Sequence, residues 1–198
     1  MTVHAPIPDY AAARQAMVDS QLRPQGVSDP SVIAAMSLIP REKFVPEEQK
    51  PLAYVDREVP LGEGRALPAP AVLGRLLNAL APLPGERALL VGTSTGYAAA
   101  VLKAMGVEVG TTDGSLGDGQ GKSGPYDFVL IDGAVEYLPD ELVDRLKDGG
   151  RLGGAIVDQG ITRLIVGRRA GGGFGYVTIA DAATPVLPGF QRPRAFTF

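Results

Sequence analysis

The stretch RALLVGTSTGYAAAVLKAMGVEVGTTD, residues 87–113, decides the fold. RALLV reads as a buried strand, GYAAAVLKAM as a crossover helix and VEVGTT as a second strand. A helix between two strands is how parallel neighbours are joined, because a hairpin can join only antiparallel ones. Gly92 and Gly96 stand four residues apart at the turn from strand to helix. Two readings of that turn are open. The glycines can admit a ligand to the backbone beyond the carboxyl end of a strand, where amides at the helix start attract polar groups, or they can simply allow a tight, sterically close turn. Asp113 follows Gly92 by 21 residues at the end of the second strand, where a carboxylate can accept both hydroxyls of a ribose.

Downstream, the pattern continues with YDFVLID as a strand, PDELVDRLKD as a helix and RLGGAIVD as a strand. TRLIVGRR and GFGYVTIAD finish the chain as antiparallel strands, since the intervening RAGGG is long enough for a hairpin and too short for a helix. Asp132 ends a strand in LIDGA and faces the same crevice, on a cofactor rim or positioning a substrate, or else capping a helix or standing in solvent. Asp118 in LGDGQ can meet an adenine amino group or serve an ordinary turn. GDGQGKSG resembles a phosphate loop only in its last members: Leu116 occupies the required glycine position, and the loop leads into a strand. Lys122 is therefore read as solvated.

Upstream, DYAAARQAMVDSQL (9–22) begins with an Asp cap and puts Ala13, Met17 and Leu22 on an apolar face. DPSVIAAMSLI (29–39) has Asp29 as its cap, Pro30 in the first turn and Pro40 as a stop. PAVLGRLLNALAPLPG places Leu73, Leu76, Leu77 and Leu80 at helical spacing before two prolines end the run. The expected division is a helical, substrate-facing element over 1–85 integrated with a core over 86–198. The fold class is α/β, a Rossmann-like, mostly parallel sheet with an antiparallel C-terminal part and a small N-terminal helical element.

Composition narrows the chemistry. The chain has 198 residues, 45% of them apolar, which suits one domain with a sizeable core. With no Cys and only His4, thiolate chemistry and a histidine triad are out of reach, and no metal is expected. A net charge of −3 gives no footprint for nucleic acid. No signal segment or spanning run is evident, so the expected setting is the cytoplasm, as a monomer or weak homo-oligomer without membrane or nucleic-acid partners.

Several blocks in order resemble the protein-L-isoaspartate O-methyltransferase family. They are MVDSQLRPQGVSDPSVIAAMSLIPREKFVP (17–46), AYVDREVPLGEG (53–64), VGTSTGYAAAVL (91–102), PYDFVLIDGAVEYLP (125–139) and LKDGGRL (146–152). The first block is the most specific, because its MxxxQL, DxxVxxAM and PREKFVP pieces occur together. The resemblance implies methyl transfer from S-adenosyl-L-methionine, with S-adenosyl-L-homocysteine as product, to the carboxylate of isoaspartyl residues in peptides or damaged proteins. It assigns Gly92, Thr93, Ser94 and Gly96 to the cofactor loop, Asp113 to the ribose and Asp118 to the adenine side; Asp132 joins the cofactor-binding set on its strand-end position alone. It places Tyr54, Val55, Asp56, Leu187, Pro188 and Phe190 on the peptide side.

Three departures accompany it. The resemblance implies Gly-Gln-Thr-Ile-Ser-x-Pro at the catalytic stretch, whereas this chain has GRALPAP at 64–70. Arg65 replaces the amide and Pro68 replaces the serine, leaving neither a hydroxyl nor an N–H. Arg65 is the candidate to compensate, by holding a carboxylate bidentately. Leu90 stands where an acid commonly precedes the glycine loop. Between Asp113 and Pro125 there is no room for the further helix and strand implied there. A catalytically inactive methyltransferase fold or peptide-binding module, and methylation of another carboxylate, are the alternatives.

Overall fold

The computed structural model describes residues 9–62, 65–92, 95–112 and 124–192. The core is a six-stranded sheet built from β3 (Arg87–Val91), β4 (Glu108–Thr112), β5 (Tyr126–Val135), β6 (Leu146–Asp158), β7 (Ile161–Ala170) and β8 (Gly173–Asp181), in the order β4-β3-β5-β6-β7-β8. The first four run parallel; β7 and β8 are antiparallel additions. The β7–β8 hairpin turns through Gly171 and Gly172, both at positive φ, as a tight two-residue turn demands. A separate ribbon, β1 (Val59–Gly62) with β2 (Arg65–Leu67), carries the altered catalytic stretch.

β3 is buried on both faces, so it is apolar throughout instead of alternating. Ala88 and Leu90 point into one core, while Leu89 and Val91 point into the other. On the Leu90 side lie α1 (Tyr10–Met17), α2 (Pro30–Leu38), α3 (Pro70–Leu80) and α4 (Tyr97–Ala104). α3 buries all four of the leucines expected on its apolar stripe, each stabilising by roughly 1.5–3 kcal/mol. It packs on β6, β7 and α2. Asp9 and Asp29 cap α1 and α2 through their carboxylates, and Pro30 opens α2. α1 runs into a π-helical turn at Val18–Leu22, which buries Val18 and Leu22 and directs Gln21 Nε2 to the Tyr54 carbonyl at 2.8 Å. The opposite core is closed by Leu142, Leu187 and Phe190.

Two elements differ from the sequence expectation. The helix expected over PDELVDRLKD is only α5 (Asp140–Asp144), and β6 begins at Leu146 instead of Arg151. Tyr126 N–H donates to the Arg145 carbonyl at 2.8 Å and Leu146 pairs with Tyr126, so sheet pairing captures residues whose local composition suits a helix. β5 runs past Asp132 to Val135, with its register against β6 shifting between Leu130 and Ala134. Among the described residues β4 stands at one edge of the sheet and β8 at the other.

Candidate functional site

The carboxyl ends of β3 and β5 meet in register, Val91 opposite Ile131, so Gly92 and Asp132 are the next residues on adjacent strands. Gly92 has φ +85° and donates its N–H to the Thr112 carbonyl at 2.9 Å, fixing the mouth of the loop against β4. Gly96 caps α4 at φ +81°, a left-handed conformation that glycine adopts without strain. A Cβ at Gly92 would lie 2.5 Å from Leu187 Cδ1, and one at Gly133 would lie 2.5 Å from Leu187 Cδ2. Leu187 therefore rests against both bare backbones. It is held there by its own N–H, which donates to the Ala134 carbonyl at 2.8 Å. Phe190 is buried beside it, its carbonyl accepting from Glu136 N–H at 2.9 Å, while Pro188 is exposed.

Asp132 does not stand in solvent. It is 6% exposed and lies on the β5 face shared by Leu130 and Ala134, the face that Leu90 also presents. Burial pushes its pKa up to about 7, with the Arg41 cation pulling it back down. Arg41 is itself completely buried, and burial lowers its pKa. Its Nε donates to the Ala53 carbonyl at 2.7 Å and its Nη2 to the Pro68 carbonyl, and its guanidinium lies 5.0 Å from the centre of the Tyr97 ring. Phe44 meets the same ring edge-on at 5.5 Å. Burial raises the pKa of Tyr97, so its phenol is neutral near pH 7. Among the described residues Asp132 Oδ2 has no hydrogen-bond partner, and Arg41 Nη1 and the Tyr97 hydroxyl have no well-aligned one, although the two groups are near enough for the guanidinium to oppose the rise in the Tyr97 pKa.

The expected peptide-side residues divide. Tyr54 turns inward: its hydroxyl donates to Glu42 and accepts from Arg41 N–H at 3.1 Å, and burial, then the Glu42 bond, raises its pKa. Val55 is exposed. Asp56 accepts from Gln25 Nε2 at 3.1 Å and lines a surface cleft of about 320 Å³ with Arg57, Arg75 and Asp181. Pro68 is buried with its carbonyl engaged, while Arg65 is exposed on β2. Thr93, Ser94, Asp113, Asp118 and the GDGQGKSG segment lie outside the described residues. Among the described residues no group of three or more His, Cys, Asp or Glu could hold a metal, and no helix is long and apolar enough to cross a membrane.

Arg41 and Tyr97 were not singled out from sequence. The available signal was Arg41 and Glu42 inside the apolar-flanked run IPREKFVP, an unusual place for charge unless both groups are bonded.

The protein-L-isoaspartate(D-aspartate) O-methyltransferase family model matches residues 12–112 and 103–178. Protein-L-isoaspartate O-methyltransferase 1 of Rhodopseudomonas palustris is 36% identical over 192 residues, covering 82% of this chain and 78% of the relative. A protein-L-isoaspartate O-methyltransferase of Koribacter versatilis is 32% identical over 207 residues, covering 92% and 93%. Among solved structures, a Plasmodium falciparum protein-L-isoaspartate O-methyltransferase in complex with S-adenosyl-L-homocysteine superposes with TM-score 0.73 at 20% identity, covering 89% of this chain and 98% of that one. That likeness carries the fold, and the closer sequence relatives carry the kinship. The chain belongs to the protein-L-isoaspartate(D-aspartate) O-methyltransferase family.

Proposed function

We propose that this chain transfers a methyl group from S-adenosyl-L-methionine to the side-chain carboxylate of isoaspartyl residues in peptides or damaged proteins. The observation that carries the reading is the left-handed glycine turn at the carboxyl end of β3, where Gly92 at φ +85° and Gly96 at φ +81° lead into α4. Those residues fit the cofactor: the turn keeps its backbone free of side chains at Gly92 and Gly96, so the cofactor's polar groups can approach the chain where α4 begins. When bound, the cofactor supplies an electrophilic methyl group. Thr93, Ser94 and Gly96 would complete the loop, with Asp113 toward the ribose and Asp118 toward the adenine.

A carboxylate is already ionised near pH 7, so the chain needs no strong base, consistent with a single His and no Cys. The protein's part is to strip water from the carboxylate and align it. Leu187, Pro188 and Phe190 form the wall on which this desolvation would depend, and Val55, Asp56 and Arg65 the approach for the peptide. Pro68 favours a second reading, a methyltransferase fold that binds peptide without catalysis, because it supplies no hydroxyl and its carbonyl is engaged by Arg41. A different carboxylate as methyl acceptor is the remaining alternative. The setting would be cytoplasmic, with the chain monomeric or weakly self-associating and without nucleic acid or membrane.

The deciding experiment is transfer of a labelled methyl group to an isoaspartyl peptide, run beside its aspartyl isomer and alongside calorimetric titration with S-adenosyl-L-homocysteine. Transfer to the isoaspartyl peptide alone supports the reading. Binding without transfer to any carboxylate peptide favours the second reading, and no binding at millimolar concentration overturns the use of this cofactor.

A further inference from the structure

Gln21, Gln25, Arg41 and Glu42, all from the block at 17–46 that carries the family resemblance most specifically, converge on residues 53–56. Gln21 Nε2 donates to the Tyr54 carbonyl at 2.8 Å, and Gln25 Nε2 to Asp56 at 3.1 Å. Arg41 N–H donates to the Tyr54 hydroxyl at 3.1 Å, and that hydroxyl donates in turn to Glu42. Arg41 then reaches further than the others. Its Nε donates to the Ala53 carbonyl at 2.7 Å, and its Nη2 donates to the carbonyl of Pro68. One guanidinium thus grips both the 53–56 segment and the altered catalytic stretch.

Arg41 is completely buried, and burying a cation costs more than filling the same space with an apolar side chain. What the guanidinium adds is direction. Its donors form a rigid planar fork, so the Ala53 and Pro68 carbonyls are held at a fixed separation and orientation. Those carbonyls belong to the two stretches proposed above to receive the peptide. Val55 and Asp56 follow closely on Ala53, and Arg65 opens β2, which ends just before Pro68. The same bond accommodates Pro68. Proline has no N–H and no hydroxyl but keeps its carbonyl, and the carbonyl is the group that Arg41 uses.

We propose that Arg41 is a positioning residue for the methyl-accepting peptide: it sets the spacing of the two stretches against which the peptide lies, while Gln21 steadies the first of them. The assignment rests on the reading that the chain receives an isoaspartyl peptide. Arg41 touches neither the peptide nor the reacting atoms in it, and acts through the backbone at Ala53 and Pro68.

The test separates the two ligands. A fluorescent isoaspartyl peptide is titrated by anisotropy with S-adenosyl-L-homocysteine present, and S-adenosyl-L-homocysteine alone is titrated by calorimetry. The chains compared are the wild type, Arg41→Lys and Gln21→Met, each first shown by circular dichroism to be folded; where Arg41→Lys does not fold, Gln21→Met decides. Lysine keeps the positive charge near Tyr97 and Asp132 but cannot serve both carbonyls, and methionine keeps the length of Gln21 but not its donor. Arg41→Lys should weaken peptide binding about ten- to a hundredfold and Gln21→Met about three- to tenfold, with S-adenosyl-L-homocysteine within about twofold in both. In methyl transfer the same variants should raise KM for the peptide and leave KM for S-adenosyl-L-methionine unchanged. A residue serving only the overall fold would weaken both ligands alike. Equal loss for the two ligands, or unchanged peptide affinity, overturns the assignment while leaving the peptide reading in place. A wild type that binds S-adenosyl-L-homocysteine but no isoaspartyl peptide overturns the peptide reading and the assignment with it, and one that binds neither overturns the cofactor reading as well.

Discussion

Replacing Asp132 with Asn isolates a single buried titration. Burial raises the Asp132 pKa from 3.8 to about 7, with Arg41 opposing. Because the folded pKa lies above the unfolded one, the folded chain holds the proton more tightly. The resulting stabilisation is complete below about pH 4 and is lost as pH rises through about 7. A rise of about three pH units, at about 1.36 kcal/mol each, amounts to about 4 kcal/mol, of which about 3 is lost between pH 5 and pH 8.5. An amide of the same shape cannot ionise, so Asp132→Asn removes this dependence. The assay is urea unfolding of both chains without ligand, from pH 5 to pH 8.5, followed by circular dichroism. His4 and all other titrating groups are common to both chains and cancel in the difference. The variant should gain about 3 kcal/mol on the wild type across that range. A difference that is flat with pH refutes the reasoning. A difference of opposite sign would mean that Asp132 is ionised and paired in the folded chain.

Other substitutions probe the surrounding frame. Arg41→Lys cannot serve the Ala53 and Pro68 carbonyls together, since an ammonium lacks the planar fork, and should cost about 2–4 kcal/mol in denaturant unfolding; a loss under about 0.5 kcal/mol would contradict its bonding role. Tyr54→Phe leaves Glu42 and Arg41 N–H short of a partner, for an expected loss of about 1–3 kcal/mol, and an unchanged unfolding midpoint would show that water replaces the phenol. Gly92→Ala forces a Cβ to 2.5 Å from Leu187 at φ +85° and should both destabilise the fold and abolish S-adenosyl-L-homocysteine binding in calorimetry. With Leu187→Ala added, the double variant should be less destabilised than the sum of the two singles by about 1–3 kcal/mol; strict additivity would exclude the close approach.

Much of the framework is legible locally. Leu73, Leu76, Leu77 and Leu80 announce α3 because a 3.6-residue period is a property of neighbouring positions. The strand–helix–strand reading of residues 87–112 and the terminal hairpin rest on equally short-range signals. α5 shows where such signals stop. Nothing within PDELVDRLKD announces that Leu146 will pair with Tyr126, and that long-range ladder cuts the helix after Asp144.

The same boundary runs through the site. Gly92 and Gly96 can be found from sequence because a strand-to-helix turn imposes its backbone demands on a few adjacent residues. The place of Asp132 cannot: its position in LIDGA is compatible with a solvated rim, and only the sheet, with α4 and the turn after α2 packed over that face, takes water away from it. Sequence by itself determined the parallel architecture, the glycine turn and the family, since each rests on residue types at fixed spacing. Tertiary structure alone decided that positions 41, 97 and 132 are buried within electrostatic reach of one another, because burial and charge proximity depend on which segments pack together in space, whatever their separation along the chain.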